Sequence, residues 1–153
     1  MSLSGALTKL SDALLPLFDP RQVRQLEANE PRVKGIKEAA AVWSSAMQSW
    51  TGAAGFTVLP GKGLAFEAAL VNAWVTLPPQ GPVLMGQAFS VFWTGNTLGA
   101  GVAAFPPTPF LPITPPPPAG ATPEQLTQNL AQTIYLYTLA NGTLTPPGGP
   151  FPP

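Results

Sequence analysis

Residues 83–105, VLMGQAFSVFWTGNTLGAGVAAF, form a long run without a charged side chain. Such a run is buried in a bilayer, in the protein's own core or against a neighbouring protein. A bilayer span needs about 20 apolar residues in continuous helix, and TGNTLGAG at 94–101 is too rich in glycine to continue one. The pattern therefore predicts a helix from Pro82 to about Trp93 that is apolar all round and enclosed by protein.

A membrane interpretation remains the alternative for this region. Residues 64–105 would then form a hydrophobic hairpin around Pro78-Pro79, either spanning the bilayer or re-entering it, in a small membrane-associated protein. No cluster of lysine or arginine flanks 83–105 to fix an orientation in a bilayer. The absence of such anchors favours burial in protein.

The first forty residues predict helix with one apolar face and one wet face. Leucines recur at steps of three and four, which is typical of an amphipathic helix packed on its own domain, with docking to a partner helix as the alternative. These leucines are Leu3, Leu7, Leu10, Leu14 and Leu17. The charges of residues 19–38 alternate in sign, which predicts a solvated helical stretch, broken at Pro31.

Two further helices follow from apolar spacing and from the residues that stop them. The first ends near Gly52 and Gly55, and one of its faces carries Ala39, Trp43, Met47 and Trp50. The second covers residues 64–77, ends at Pro78-Pro79, and aligns Phe66, Leu70, Ala73 and Leu77. Both stripes are interpreted as core.

The last helix has the clearest boundaries. TPEQ at 122–125 is a capping box with proline at the first helical position. The helix continues through Leu126, Leu130, Ile134 and Tyr137, and Asn141-Gly142 is its predicted stop.

Residues 106–118, PPTPFLPITPPPP, contain eight prolines. So many prolines exclude both helix and central strand. The segment is predicted to be an extended strap on the surface of this chain or of a neighbour, with Phe110, Leu111 and Ile113 in apolar grooves. A role as a ligand for an SH3-like or WW-like groove lacks a nearby lysine or arginine. The tail is predicted to be extended and to project.

The fold class is therefore mainly α, with five to six short helices broken by proline and glycine. Residues 1–142 form a single helical domain that includes the strap 106–118, and residues 143–153 form the Pro/Gly tail. Strand content is small, with FTVL at 56–59 and TLTP at 143–146 as the candidates. Trp-Thr-Gly occurs at 50–52 and 93–95, which would fit two stacked helix-then-turn units or chance.

Composition removes most catalytic chemistry. The chain has neither cysteine nor histidine, the side chains on which catalytic triads and nearly all zinc, copper and haem sites depend. Seven basic and seven acidic residues in 153 give no electrostatic footprint for nucleic acid. Glu67 and Glu124 lack partners for acid-base catalysis, so we predict no enzyme, no cofactor and no catalytic or metal-binding residue.

Charge is distributed unevenly, and this points to function. Only Glu124 is charged beyond Glu67, so the second half has little to keep an exposed surface soluble. Either other subunits cover that surface or the protein is membrane-associated. Proline-rich segments also suit assembly, because a restricted chain loses less entropy on binding.

The small size, the Ala/Gly/Pro-rich apolar composition, the Trp-Thr-Gly segment and the Pro/Gly tail resemble the small structural proteins of tailed bacteriophage particles and of phage-derived contractile injection systems. The resemblance implies a virion or phage-like particle, assembled in the cytoplasm, as the location. Its partners would be other copies of this chain and other structural proteins of the particle. The predicted interface residues are Phe110, Leu111, Ile113 and Phe151.

Overall fold

The structure, a computed structural model, describes residues 2–18, 32–76, 80–111, 117–146 and 148–153, with the backbone alone at 32–34. Five α-helices make up more than half of these residues. They are α1 (Leu7–Leu14, extended by a 3-10 turn at Leu15–Leu17), α2 (Arg32–Ala53), α3 (Lys62–Val75), α4 (Gly81–Trp93) and α5 (Pro123–Asn141). The prediction of a mainly helical chain is confirmed. Predictions for residues 19–31 and for Leu77 lie outside the described residues.

A small antiparallel sheet accompanies the helices. Its strands, in spatial order, are β1 (Thr97–Leu98), β2 (Gly101–Ala104), β3 (Thr143–Thr145) and β4 (Gly149–Pro150). The strand predicted in TLTP is confirmed as β3. FTVL contributes only an isolated bridge from Thr57 to Thr97, and the sequence pattern did not predict β1 and β2.

The helices contact one another in the order α5, α1, α2, α3, α4, and the sheet contacts α4 through β2 and α5 through β4. Helix α1 packs on its own domain, as predicted, because Leu3, Leu10 and Leu14 are fully buried. The indole Nε1 of Trp50 donates a hydrogen bond to the Leu3 carbonyl, 3.0 Å away, and fixes the N-terminal turn on α2.

Aromatic rings fill the space between the helices and the sheet. Trp93 at the end of α4 has no exposed surface. The nearest ring centroids are those of Phe151 at 4.9 Å and Phe56 at 5.1 Å, and Trp50 meets it edge-on at 6.0 Å. Its Nε1 is buried and has no hydrogen-bond partner among the described residues.

The ends of the helices follow their local sequence. The capping box predicted for α5 is present, because the Thr122 hydroxyl accepts from the Gln125 backbone while the Gln125 side chain accepts from the Thr122 backbone. Helix α2 continues through Gly52 and ends at Ala53. Gly55 then takes a positive φ of 97°, a conformation that glycine adopts without strain.

The C-terminal tail folds back onto the domain. Beyond α5 it forms β3 and β4, and the Phe151 side chain is 2% exposed. The prediction that residues 143–153 project as a separate tail is therefore wrong for the described part. The physical reason is that a phenylalanine side chain has a lower free energy in an aromatic core than in water. Gly142 makes room for the ring, since a Cβ there would overlap Phe151.

Candidate functional site

The first part of the strap, residues 105–111, lies across α4 and is fixed by backbone contacts. The Ser90 hydroxyl donates to the Phe105 carbonyl, and the Phe110 amide donates to the Pro82 carbonyl at 2.9 Å. Between these two bonds the strap passes so close to Gly86 that a Cβ there would overlap the Thr108 carbonyl. Glycine at this position therefore allows the strap to seat.

Phe110 fills a groove of its own chain. Its ring lies 5.0 Å from Tyr137, 5.1 Å from Phe89 and 6.3 Å from Trp43, measured between ring centroids. These partners belong to α5, α4 and α2. The sequence left open whether the strap's grooves belong to this chain or to a neighbour. The groove that Phe110 occupies belongs to this chain.

The four predicted interface residues therefore do not form one surface. Phe151 is buried in the core of its own chain and is not available to a neighbour in this conformation. Phe110 is partly buried against that core, so its role at an interface stays a prediction. Leu111 is 55% exposed and stays available for contact. Ile113 lies outside the described residues.

Tyr137 connects the strap to α5. Its hydroxyl donates to the Thr108 carbonyl. Burial raises the pKa of Tyr137 to about 12, because the phenolate would lose its hydration. Tyr137 thus holds the strap as a neutral donor over the whole physiological pH range.

The two isolated carboxylates lie on different helices. Glu67 is half-buried on α3, and Glu124 is exposed in the first turn of α5. Within the described ranges no group of three histidine, cysteine, aspartate or glutamate side chains could hold a metal ion. The same part of the chain contains no helix that is long and apolar enough to cross a membrane.

The most distinctive surface belongs to the antiparallel hairpin of α3 and α4. At one end, the Lys62 ammonium donates to the Val91 carbonyl at 2.9 Å. At the other end, Gly81 lies close to Ala73, since a Cβ on Gly81 would be 4.0 Å from the Ala73 carbonyl oxygen. Of seven large apolar side chains exposed in the described residues, five lie on this hairpin or on the loop that enters it. We define them as the hairpin face: Leu59, Leu64, Val75, Val83 and Val91.

The hairpin face has almost no charge around it. Lys62 and Glu67 are the only charged residues between positions 57 and 111, and both are half-buried. Within one chain α4 is not enclosed on all sides, because Val83, Gln87 and Val91 recur every four residues along an exposed stripe. Enclosure of that stripe by another protein stays a prediction.

Sequence reasoning identified the core side of this hairpin but missed its exposed side. A signal was present in α3, where Leu64 precedes Phe66 by two residues and so lies about 200° away around the helix. It is 75% exposed. No comparable signal was present in α4, whose apolar residues occur on every side.

Comparison with protein-family models, with curated proteins and with solved structures finds no match for this chain.

Proposed function

We propose that this protein is a non-enzymatic structural subunit of a larger protein assembly, of the kind found in bacteriophage and phage-like particles. The single observation that carries the proposal is the hairpin face. It gathers five exposed aliphatic side chains on one element, and no charge is interspersed among them except at Lys62 and Glu67.

Scattered exposed aliphatic residues are normal on a monomer, but the gathering of five of the seven in the described residues on one hairpin and its entry loop favours a contact surface. Leu64 leaves 75% of its surface in water, where a charged residue would improve solubility. A neighbouring subunit that covers this face would remove that unfavourable exposure.

The strap has a smaller part in these contacts than its composition alone indicates. Phe110 is committed to the chain's own aromatic groove, whereas Leu111 next to it is exposed. The subunit therefore meets its neighbours mainly through the hairpin face, with Leu111 as a second, separate point. The resemblance in size, composition and tail to small phage structural proteins supports a particle as the setting.

The test is to follow the protein in cells that produce it naturally. Lysates are fractionated on a density gradient, and the chain is quantified in each fraction by mass spectrometry. We expect it to band with an intact particle at a fixed molar ratio to the other components, and to stay there after treatment with mild detergent.

A membrane-associated protein with a hairpin at 64–105 would behave differently in the same gradient. It would float with lipid and be released by detergent, and that result would replace the present proposal. A protein found entirely as a free small species, absent from every particle band, would also refute it.

A further inference from the structure

We propose that the hairpin face binds the same face of a second copy of this chain, so that two α3–α4 hairpins pack across a two-fold axis. The inference rests on the proposed function, because it names the partner of that surface. The charge, the shape and the hydrogen-bonding groups of the described residues favour contact between two copies.

Charge is the first reason. Lys62 directs its ammonium to the Val91 carbonyl, so the helix end, and not a partner, satisfies this cation. A partner with a charged patch would have to desolvate those charges against aliphatic side chains, which is unfavourable. A second copy brings only the same two charges, Lys62 and Glu67, so fewer charges lose their water than in contact with a charged partner.

Shape is the second reason. A two-fold contact requires a surface that is complementary to itself, with projections and depressions on the same face. On α3, Leu64 and Val75 project on either side of Ala68, an exposed small residue, and all three share one side of the helix. The α3 stripe thus carries both the projections and the depression that a copy needs.

Gln87 supplies the third reason. It is exposed midway between Val83 and Val91. Its amide both donates and accepts hydrogen bonds, so two such amides can pair with each other across a two-fold axis. An aspartate or lysine at this position would repel its own copy.

The size of the face predicts a weak contact. Helices of 14 and 13 residues are about 20 Å long and together about 20 Å wide. Two copies would therefore bury on the order of 800 Å², below the roughly 1,200 Å² of stable interfaces. We expect a dimer that forms at high micromolar concentration and becomes permanent only when further contacts in a particle support it.

Sedimentation equilibrium of the purified protein between 10 µM and 1 mM tests the inference. We expect reversible dimers for the natural chain and at least a tenfold weaker association for Leu64→Glu and for Val91→Glu. The matched control is Val102→Glu, which places the same charge at an exposed aliphatic residue of strand β2 and is expected to associate like the natural chain. Unchanged circular dichroism and melting temperature must accompany each variant.

Site-directed cross-linking identifies the surface directly, because the chain has no cysteine of its own. Ala68→Cys lies in the centre of the proposed contact, and Ala140→Cys, exposed on α5, is its control. Mild oxidation is expected to link Ala68→Cys into dimers several times faster than Ala140→Cys. Equal rates for the two variants would overturn the inference.

Three further outcomes also overturn it. They are a natural chain that stays monomeric at 1 mM, association that Val102→Glu weakens as much as Val91→Glu, and flotation of the natural chain but not of Leu64→Glu with phosphatidylcholine vesicles. Particle incorporation is measured separately in the gradient. A monomeric chain that still bands with particles would refute the self-contact and leave the structural role standing.

Discussion

Replacing Phe151 by alanine is expected to destabilise the protein although the residue is third from the C-terminus. The ring is 2% exposed and lies 4.9 Å from Trp93 and 5.3 Å from Phe56, measured between ring centroids. Burying a phenylalanine contributes about 1.5 to 3 kcal/mol, and the cavity left by Phe→Ala raises typical losses to about 3 to 5 kcal/mol. We expect a loss of about 3 kcal/mol, at the lower end of that range.

Urea unfolding measures this loss, with tryptophan fluorescence and circular dichroism at 222 nm as the two probes. For a chain of this size a loss of about 3 kcal/mol lowers Tm by roughly 6 to 12 °C. The control is Pro153→Ala, which changes an exposed residue and should alter the free energy of unfolding by less than about 0.5 kcal/mol. An equally small effect for Phe151→Ala would show that the tail does not belong to the core.

A double-mutant cycle with Gly142 sharpens the test. Gly142 has an ordinary φ of −79°, so alanine is compatible with the backbone there, but its Cβ would overlap the Phe151 ring. Gly142→Ala is therefore expected to cost about 1 to 3 kcal/mol in the natural chain. In the Phe151→Ala background it should be neutral or stabilising by up to about 1 kcal/mol. Additive effects would refute the packing argument.

The strap yields three more predictions. Gly86→Ala should destabilise by about 1 to 3 kcal/mol in urea unfolding, because its Cβ would displace the Thr108 carbonyl. The contribution of Tyr137 to the free energy of unfolding should be complete below about pH 10 and be lost between about pH 10 and 12, because the pKa of Tyr137 is 10.0 in the unfolded chain and about 12 in the folded chain. The difference in melting temperature between the natural chain and Tyr137→Phe should therefore shrink over this pH range. Phe110→Ala should lower the free energy of unfolding by about 3 kcal/mol, whereas Leu111→Ala should change it by less than about 0.5 kcal/mol. Equal effects of the two substitutions would contradict the burial of Phe110 and the exposure of Leu111.

Helix boundaries were predictable because local chemistry sets them. The Thr122 capping box begins α5 through contacts within four residues. Helix α4 ends at Trp93 because Thr94 and Gly95 form a turn of type II, with Gly95 at a φ of 92°. In both cases the interactions that set the end of the helix involve neighbours in sequence, so the sequence pattern contains them.

The sheet and the tail were not predictable for the opposite reason. Strand β2 pairs with β3, so that Val102 faces Thr145 across more than forty residues, and strands of two to four residues are too short to show an alternating pattern. Gly142 was predicted to stop α5, and it directly follows the last helical residue, but with a φ of −79° that needs no glycine. The actual requirement at Gly142 is space for Phe151, which only the tertiary structure reveals.

The repeated Trp-Thr-Gly has a structural meaning that differs from a repeat of equal units. Both occurrences lie near the C-terminal end of a helix, and Thr57 and Thr97, which follow them, bridge the two units through backbone hydrogen bonds of 2.8 and 3.1 Å. However, Trp50 lies within α2 whereas Trp93 is the last residue of α4. Equivalent positions such as Gly55 and Gly95 are therefore forty residues apart, and the matching letters at a spacing of forty-three are out of register.

Folding constrains the identity of the core residues but not that of the residues on the hairpin face. Trp93, Phe110 and Phe151 are each held by several rings, so the requirements of folding account for their identity. No such requirement acts on Leu64, which is 75% exposed and lies on a helix that would tolerate glutamate or lysine equally well. Because a charged residue there would aid solubility without harming the fold, folding alone does not account for the aliphatic choice. Leu64→Glu is therefore expected to leave the free energy of unfolding within about 0.5 kcal/mol of the natural value, so that any effect it has on assembly is not an effect on folding.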